Sequence, residues 1–148
     1  MEIKKILFPT DFSEGSLNAF PYAVDLARTY GARLYMFHAI YDVVTASGWY
    51  VPHISFDEMY KDVESSARKE LERFGLEEKR KLKDVEHIIV KGVPYEEILK
   101  FAKENSIDLI VIGTHGRKGL DRALFGSTAE RVVRNSTCPV LTVREPKK

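Results

Sequence analysis

The chain has 148 residues, of which 44% are hydrophobic and 30% charged, and its formal net charge is +1. That length fits one domain, residues 1–148, with an ordinary core. The near-neutral balance excludes the basic excess of a nucleic-acid-binding domain, and no charge run marks an interaction tail.

A single cysteine, Cys138, excludes an internal disulfide framework and a multi-cysteine metal site. Between Thr137 and Pro139 it reads as a small buried hydrophobe at the head of a strand. No apolar stretch approaches the ~20 residues that span a bilayer. The first strand begins too early to leave room for a signal peptide. The expectation is a soluble cytoplasmic protein with no membrane or nucleic-acid partner.

In chain order, Ile3 to Phe8 reads as a first strand, which Pro9 ends for want of an N–H. After Thr10-Asp11-Phe12, Ser13 is an N-cap for a helix reaching about Tyr30, with Leu17, Phe20, Val24, Ala27 and Tyr30 as its apolar face and Gly31 as its stop. Pro21 inside that helix removes a hydrogen bond at a cost of about 3 kcal/mol, which predicts a kink or a distorted first half. Arg33 to Ala39 reads as a second strand. Tyr41 to Ser55 is irregular and carries Gly48, Pro52 and the pair Trp49-Tyr50, read as a lid, a subunit contact or a partly packed surface loop.

Phe56, Met59, Tyr60, Val63, Ala67, Leu71 and Phe74 recur at three- and four-residue steps, the period of an amphipathic helix with a core-facing stripe. Glu77 to Lys83 is its charged end or the turn after it. Val85 to Lys91 is a third strand. Gly92-Val93-Pro94 turns into a helix, with Pro94 at its first position and Glu96 and Glu97 at its positive end. Asp108 to Ile112 is a fourth strand, Ala129 to Arg134 a last helix and Pro139 to Val143 a fifth strand.

Strands alternating with helices predict a five-stranded parallel open sheet with helices on both faces, an α/β Rossmann-like fold. Right-handed crossovers leave few topologies. The order chosen is 3-2-1-4-5, whose switch point lies between strands one and four, where ligands of open α/β sheets bind. Pro9-Thr10-Asp11 then lies beside Gly113–Gly116.

The stretch between strand four and the last helix carries the chemistry. It reads Gly113-Thr-His-Gly116-Arg-Lys-Gly-Leu-Asp-Arg-Ala-Leu-Phe-Gly126-Ser127-Thr128. A glycine-rich loop between a buried strand and a helix can turn backbone N–H groups and a helix dipole towards a phosphate. Gly113, Gly116 and Gly126 are read as sites of positive φ and close ligand approach. Ser127 and Thr128 add hydroxyls, and Arg117, Lys118 and Arg122 add charge. The order is neither the P-loop nor the dinucleotide fingerprint. A chain-reversing turn is the plain alternative.

The spacing Gly113, two residues, Gly116, nine residues, Gly126-Ser127 resembles the nucleotide motif of the ATP-binding branch of the universal stress protein family. Lys5-Ile-Leu-Phe-Pro-Thr-Asp11-Phe-Ser, His38-Ala39, Gly92-Val93-Pro94 and Cys138-Pro-Val-Leu-Thr-Val143 follow in family order, so the resemblance covers essentially the whole chain. It implies ATP at the carboxyl edge of the sheet. Pro9, Thr10 and Asp11 would flank the adenosine and Ala39 the base. Ile112 and Gly113 would line the ribose side. His115, Gly116, Arg117, Gly126, Ser127 and Thr128 would meet the phosphates. Mg²⁺ or Mn²⁺ would ride on the phosphate oxygens.

Catalysis finds less support. His115 is better read as a phosphate donor than as an acid or base, and Asp11 as a ribose or metal contact. His38 reads as strand-end packing. No Ser-His-Asp order, Cys-His pair or metal cluster of His53 and His87 is arguable. The reading is an ATP-binding stress or signalling switch with at most slow hydrolysis. The alternatives are a nucleotidyl-transfer or ATP-hydrolysing enzyme, and a dimeric scaffold that binds no nucleotide. Val140 to Val143 would be an edge strand with exposed ladder groups. The family pairs this strand across a two-fold axis, which implies a homodimer with Leu141 and Val143 near the seam.

Overall fold

The structure, a computed structural model, describes residues 1–41, 54–115 and 126–146, with side chains left out for residues 54–57. Five parallel strands form one sheet: β1 (Lys5–Pro9), β2 (Arg33–Ile40), β3 (Val85–Lys91), β4 (Leu109–Gly113) and β5 (Val140–Val143). Their order is β3-β2-β1-β4-β5, the predicted one. The helices among the described residues are α1 (Glu14–Tyr30), α2 (Ile54–Arg73), the one-turn α3 (Leu76–Lys79), α4 (Pro94–Glu104) and α5 (Ser127–Asn135).

Alternation along each strand sends side chains to two cores. Ile6, Phe8, Leu34, Met36, Leu109 and Val111 meet Ala19, Phe20, Ala23 and Val24 of α1 and Leu71 of α2 on one face. Leu7, Tyr35, Phe37, Ile110 and Ile112 meet Ile98 and Ala102 of α4 and Ala129 and Val132 of α5 on the other. Strands covered on both faces need near-continuous apolar runs, which is why 109–112 reads Leu-Ile-Val-Ile.

The ends of α1 follow local chemistry. Ser13 accepts the Ser16 N–H at 3.3 Å as N-cap. Gly31 closes the helix in the left-handed region at φ 63°. The helix continues through Pro21, which lies on its exposed face together with Leu17, whose carbonyl Pro21 cannot serve.

Several boundaries and faces differ from expectation. β1 starts at Lys5 rather than Ile3, and its last residue is Pro9. Asp108 stands before β4, where its Oδ2 accepts the N–H groups of Lys4 at 2.9 Å and Lys5 at 3.0 Å. β5 starts at Val140, and α5 starts two residues early, at Ser127. Helix α2 begins at Ile54, inside the stretch expected to be irregular. Leu17 and Tyr30 are about half exposed, and the buried face of α1 runs through Gly15, Ser16, Ala19, Phe20, Ala23, Val24 and Ala27. Met59 and Val63 are also exposed, and α2 buries Ala67 and Leu71. The covered line of α2 runs through Tyr60, Glu64, Ala67 and Leu71, at three- and four-residue steps, and Met59 and Val63 flank it.

Candidate functional site

The central strands part before their carboxyl ends. The β1–β4 ladder pairs Ile6 with Leu109 and Leu7 with Ile110, whereas β1–β2 continues to Pro9↔Phe37 and β4–β5 to Gly113↔Val143. A crevice at the switch point follows from this divergence.

On its β1 side the chain makes a tight, polar turn. Thr10 is buried, and its N–H donates to Phe37 O at 2.8 Å. Its Oγ1 accepts the Phe12 N–H at 3.0 Å and shares a 2.8 Å hydrogen bond with Ser16 Oγ. Asp11 Oδ1 accepts the Ser13 N–H at 3.0 Å, an Asx turn leading into α1. Phe12 is held at φ 66°, unusual for a residue with a side chain, and its ring lies 4.4 Å from that of His38. His38 Nδ1 donates to Thr10 O at 2.8 Å, tying the end of β2 to the turn.

The β4 side is equally pinned. Thr114 is buried; its N–H donates to Val143 O at 3.0 Å, and its carbonyl accepts the Gly126 N–H. Thr114 Oγ1 lies 3.0 Å from His115 Nδ1. The Thr114–Gly126 hydrogen bond brings the start of α5 to the end of β4. Gly126, which has no side chain, is the N-cap of α5, and among the described residues no side-chain hydrogen bond caps that end. Such a terminus presents amide groups and the positive pole of the helix dipole.

Among the twelve residues singled out, Pro9, Thr10 and Asp11 lie at the end of β1, Ala39 near the end of β2, Ile112, Gly113 and His115 at the end of β4, and Gly126, Ser127 and Thr128 at the start of α5. Ala39 and Ile112 belong to the α4–α5 face, and strand alternation puts Pro9 there with Leu7. Ile112 is buried in that core, so its main chain is what reaches the edge. Gly116 and Arg117 lie outside the described residues, as do Lys118, Arg122 and Trp49-Tyr50.

The expected positive φ is absent at two of the glycines. Gly126 has φ −67°, and Gly113 is not in the left-handed region. The reason for glycine at 113 is space: a Cβ there would come 2.6 Å from Gly15 O. Gly15, Ser16 and Thr114 therefore belong to the frame of the site although the sequence reading passed over them. Among these, Ser16 carries a local signal, its three-residue spacing from the N-cap Ser13.

Comparison with known proteins decides the kinship. Residues 2–144 match the model of the universal stress protein family. The chain belongs to the universal stress protein family. A universal stress protein of Methanocaldococcus jannaschii, MJ0531, is 38% identical over 98% of this chain and 84% of its own length. Universal stress protein YxiE of Bacillus subtilis is also 38% identical, over 95% of this chain and 98% of its own. Universal stress protein UspA from Lactobacillus plantarum superposes with a TM-score of 0.84 at 26% identity, covering 97% of this chain and 99% of that one. Two more distant universal stress proteins share the fold. One was solved in complex with cAMP (24% identity, TM-score 0.62) and one, from Archaeoglobus fulgidus, in complex with dAMP (23%, 0.57). Among the described residues, no helix of this universal stress protein is long and apolar enough to cross a membrane.

Proposed function

We propose that this chain is a cytoplasmic ATP-binding switch, a single nucleotide-binding domain that signals through its nucleotide state and hydrolyses ATP slowly at most. The observation that carries the reading is the divergence of β1 and β4 beyond Leu7 and Ile110, with the glycine-led start of α5 tied to its rim through Thr114. Adenine nucleotides in two proteins of the same fold support the choice of ligand class.

In this reading Pro9, Thr10 and Asp11 flank the adenosine, and Ala39 meets the base. Ile112 and Gly113 line the ribose. His115, Gly116, Arg117, Gly126, Ser127 and Thr128 take the phosphates. Hydrogen bonds to a charged group contribute about 1.5–3 kcal/mol each. Association costs roughly 4–15 kcal/mol, so a phosphate cradle alone binds weakly and the adenosine loops are needed too. Among the described residues no three His, Cys, Asp or Glu side chains gather as a metal site. A Mg²⁺ or Mn²⁺ ion would be held by phosphate oxygens, where it would neutralise charge.

The test is direct. The purified protein is denatured and any released nucleotide identified. Stripped protein is then titrated with Mg²⁺-ATP by calorimetry, beside Gly116→Val. One site per chain, with affinity lost by at least about tenfold in the variant, is the expected result. Absence of both nucleotide and heat removes the reading. Rapid turnover on a defined acceptor would make the protein an enzyme instead.

A further inference from the structure

We propose that Gly15 is a positioning residue of the site: its missing side chain lets the first turn of α1 seat the neck of the glycine-rich loop. Gly15 is the second residue of α1, at an ordinary φ, where alanine would normally serve at least as well. Space explains the glycine. A Cβ at this position would run into the carbonyl of His115, with His115 C at 3.1 Å and Glu145 Oε1 at 3.4 Å. The contact is reciprocal, since a Cβ on Gly113 would come 2.6 Å from Gly15 O and 3.3 Å from Ser16 N. Two backbones therefore interlock without side chains between them, and neither is the flexible end of anything.

What this contact holds is the point where residues 113–115 leave the sheet. Thr114 carries the alignment onward, because its carbonyl accepts the Gly126 N–H that begins α5. The same turn of α1 contributes Ser16, whose Oγ is bonded to Thr10 Oγ1 at 2.8 Å. One helical turn thus sets the distance between the β1 turn and both ends of the loop. The inference stands on packing; only its ligand arm rests on the nucleotide reading.

Gly15→Ala is compared with Gly31→Ala, a control at the far end of α1. There φ is 63° and nothing lies within 4 Å of an added Cβ, so it lowers stability without touching the loop. In nitrogen-edited spectra, Gly15→Ala shifts the amide signals of Thr114, His115 and Gly126, and Gly31→Ala leaves them in place. By calorimetry, Gly15→Ala lowers the affinity for Mg²⁺-ATP by roughly tenfold while that for adenosine falls much less. Loss of stability alone would weaken both alike.

Should wild type bind neither ligand, the nucleotide reading fails, and the amide shifts still decide the role of Gly15. Unmoved Thr114, His115 and Gly126 signals in Gly15→Ala overturn the proposal. Should Gly15→Ala not fold, hydrogen exchange of the wild type in low urea decides. Opening of Thr114, Gly126 and Leu17 amides in one step supports the interlock, and independent opening refutes it.

Discussion

Thr10 is polar yet only 6% exposed, and its hydroxyl is committed in two directions. It accepts the Phe12 N–H and bonds Ser16 Oγ, which helps keep Phe12 at φ 66°. A side chain in the left-handed region costs about 1–2 kcal/mol, so the turn needs such support. Thr10→Val keeps the shape and removes the hydroxyl, leaving the Phe12 N–H without that acceptor. Stability should fall by about 1–3 kcal/mol, read as a lower urea midpoint at unchanged slope, and Thr10→Ser should recover most of it. Equal midpoints for wild type and Thr10→Val would mean the hydroxyl supports nothing. Residues with local partners were legible in the sequence: Ser13 caps the helix it precedes, and Gly31 ends the helix it follows. Thr114 was not, because its partners, Val143 and Gly126, come together only once the sheet has formed.

At the scale of elements, α2, α3 and β3 are joined by one basic side chain. Lys79 of α3 donates to the carbonyls of Leu71 at 3.0 Å and Glu72 at 2.7 Å, near the end of α2, and lies 3.3 Å from His87 Nε2 on β3. An ammonium group only donates, so that contact requires an unprotonated Nε2. Burial, then the nearby Lys79 charge, holds the His87 pKa below its ordinary 6.5; Glu72 opposes this and Arg68 adds to it. Burial likewise lowers Lys79, against the pull of Glu72. With the folded His87 pKa depressed, the unfolded chain takes up a proton first as pH falls. Stability is therefore full above about pH 6.5 and declines below it, until the folded pKa is passed. The urea midpoint should drop between about pH 7 and pH 5, and His87→Gln, which can still accept from Lys79 but does not titrate, should flatten the drop. The same slope in both proteins would exclude His87 as the source. Order and alternation of these elements could be read beforehand, since strand runs such as 109–112 and the capped α1 are dictated locally. The exposure of Met59 and Val63 could not, because periodicity marks a broad apolar stripe but not which line of it the sheet covers.

At the scale of the whole molecule, the sheet of described residues ends at β5, which pairs with β4 on one side. Its outer edge would offer unpaired ladder groups to another chain, and the homodimer that the family resemblance implies would cover it. Burial along β5 divides the two residues expected at the seam. Val143 is buried in the core beside α1, so its side chain is turned inward, whereas Leu141 is 36% exposed. On α5, Val133 is exposed as well. A two-fold seam on this edge would bring each Leu141 near its own copy, where like charges repel and apolar pairs attract. Light scattering at high micromolar concentration should give twice the 16.9 kDa chain mass. Leu141→Lys should shift the population to single chains with the far-ultraviolet spectrum unchanged, because the side chain lies outside the core. Salt then separates causes: if opposed lysines drive dissociation, dimer returns as the Debye length contracts from about 10 Å at 0.1 M to about 3 Å at 1 M. A monomeric wild type would exclude the dimer, and a dimer indifferent to Leu141→Lys would move the seam away from β5.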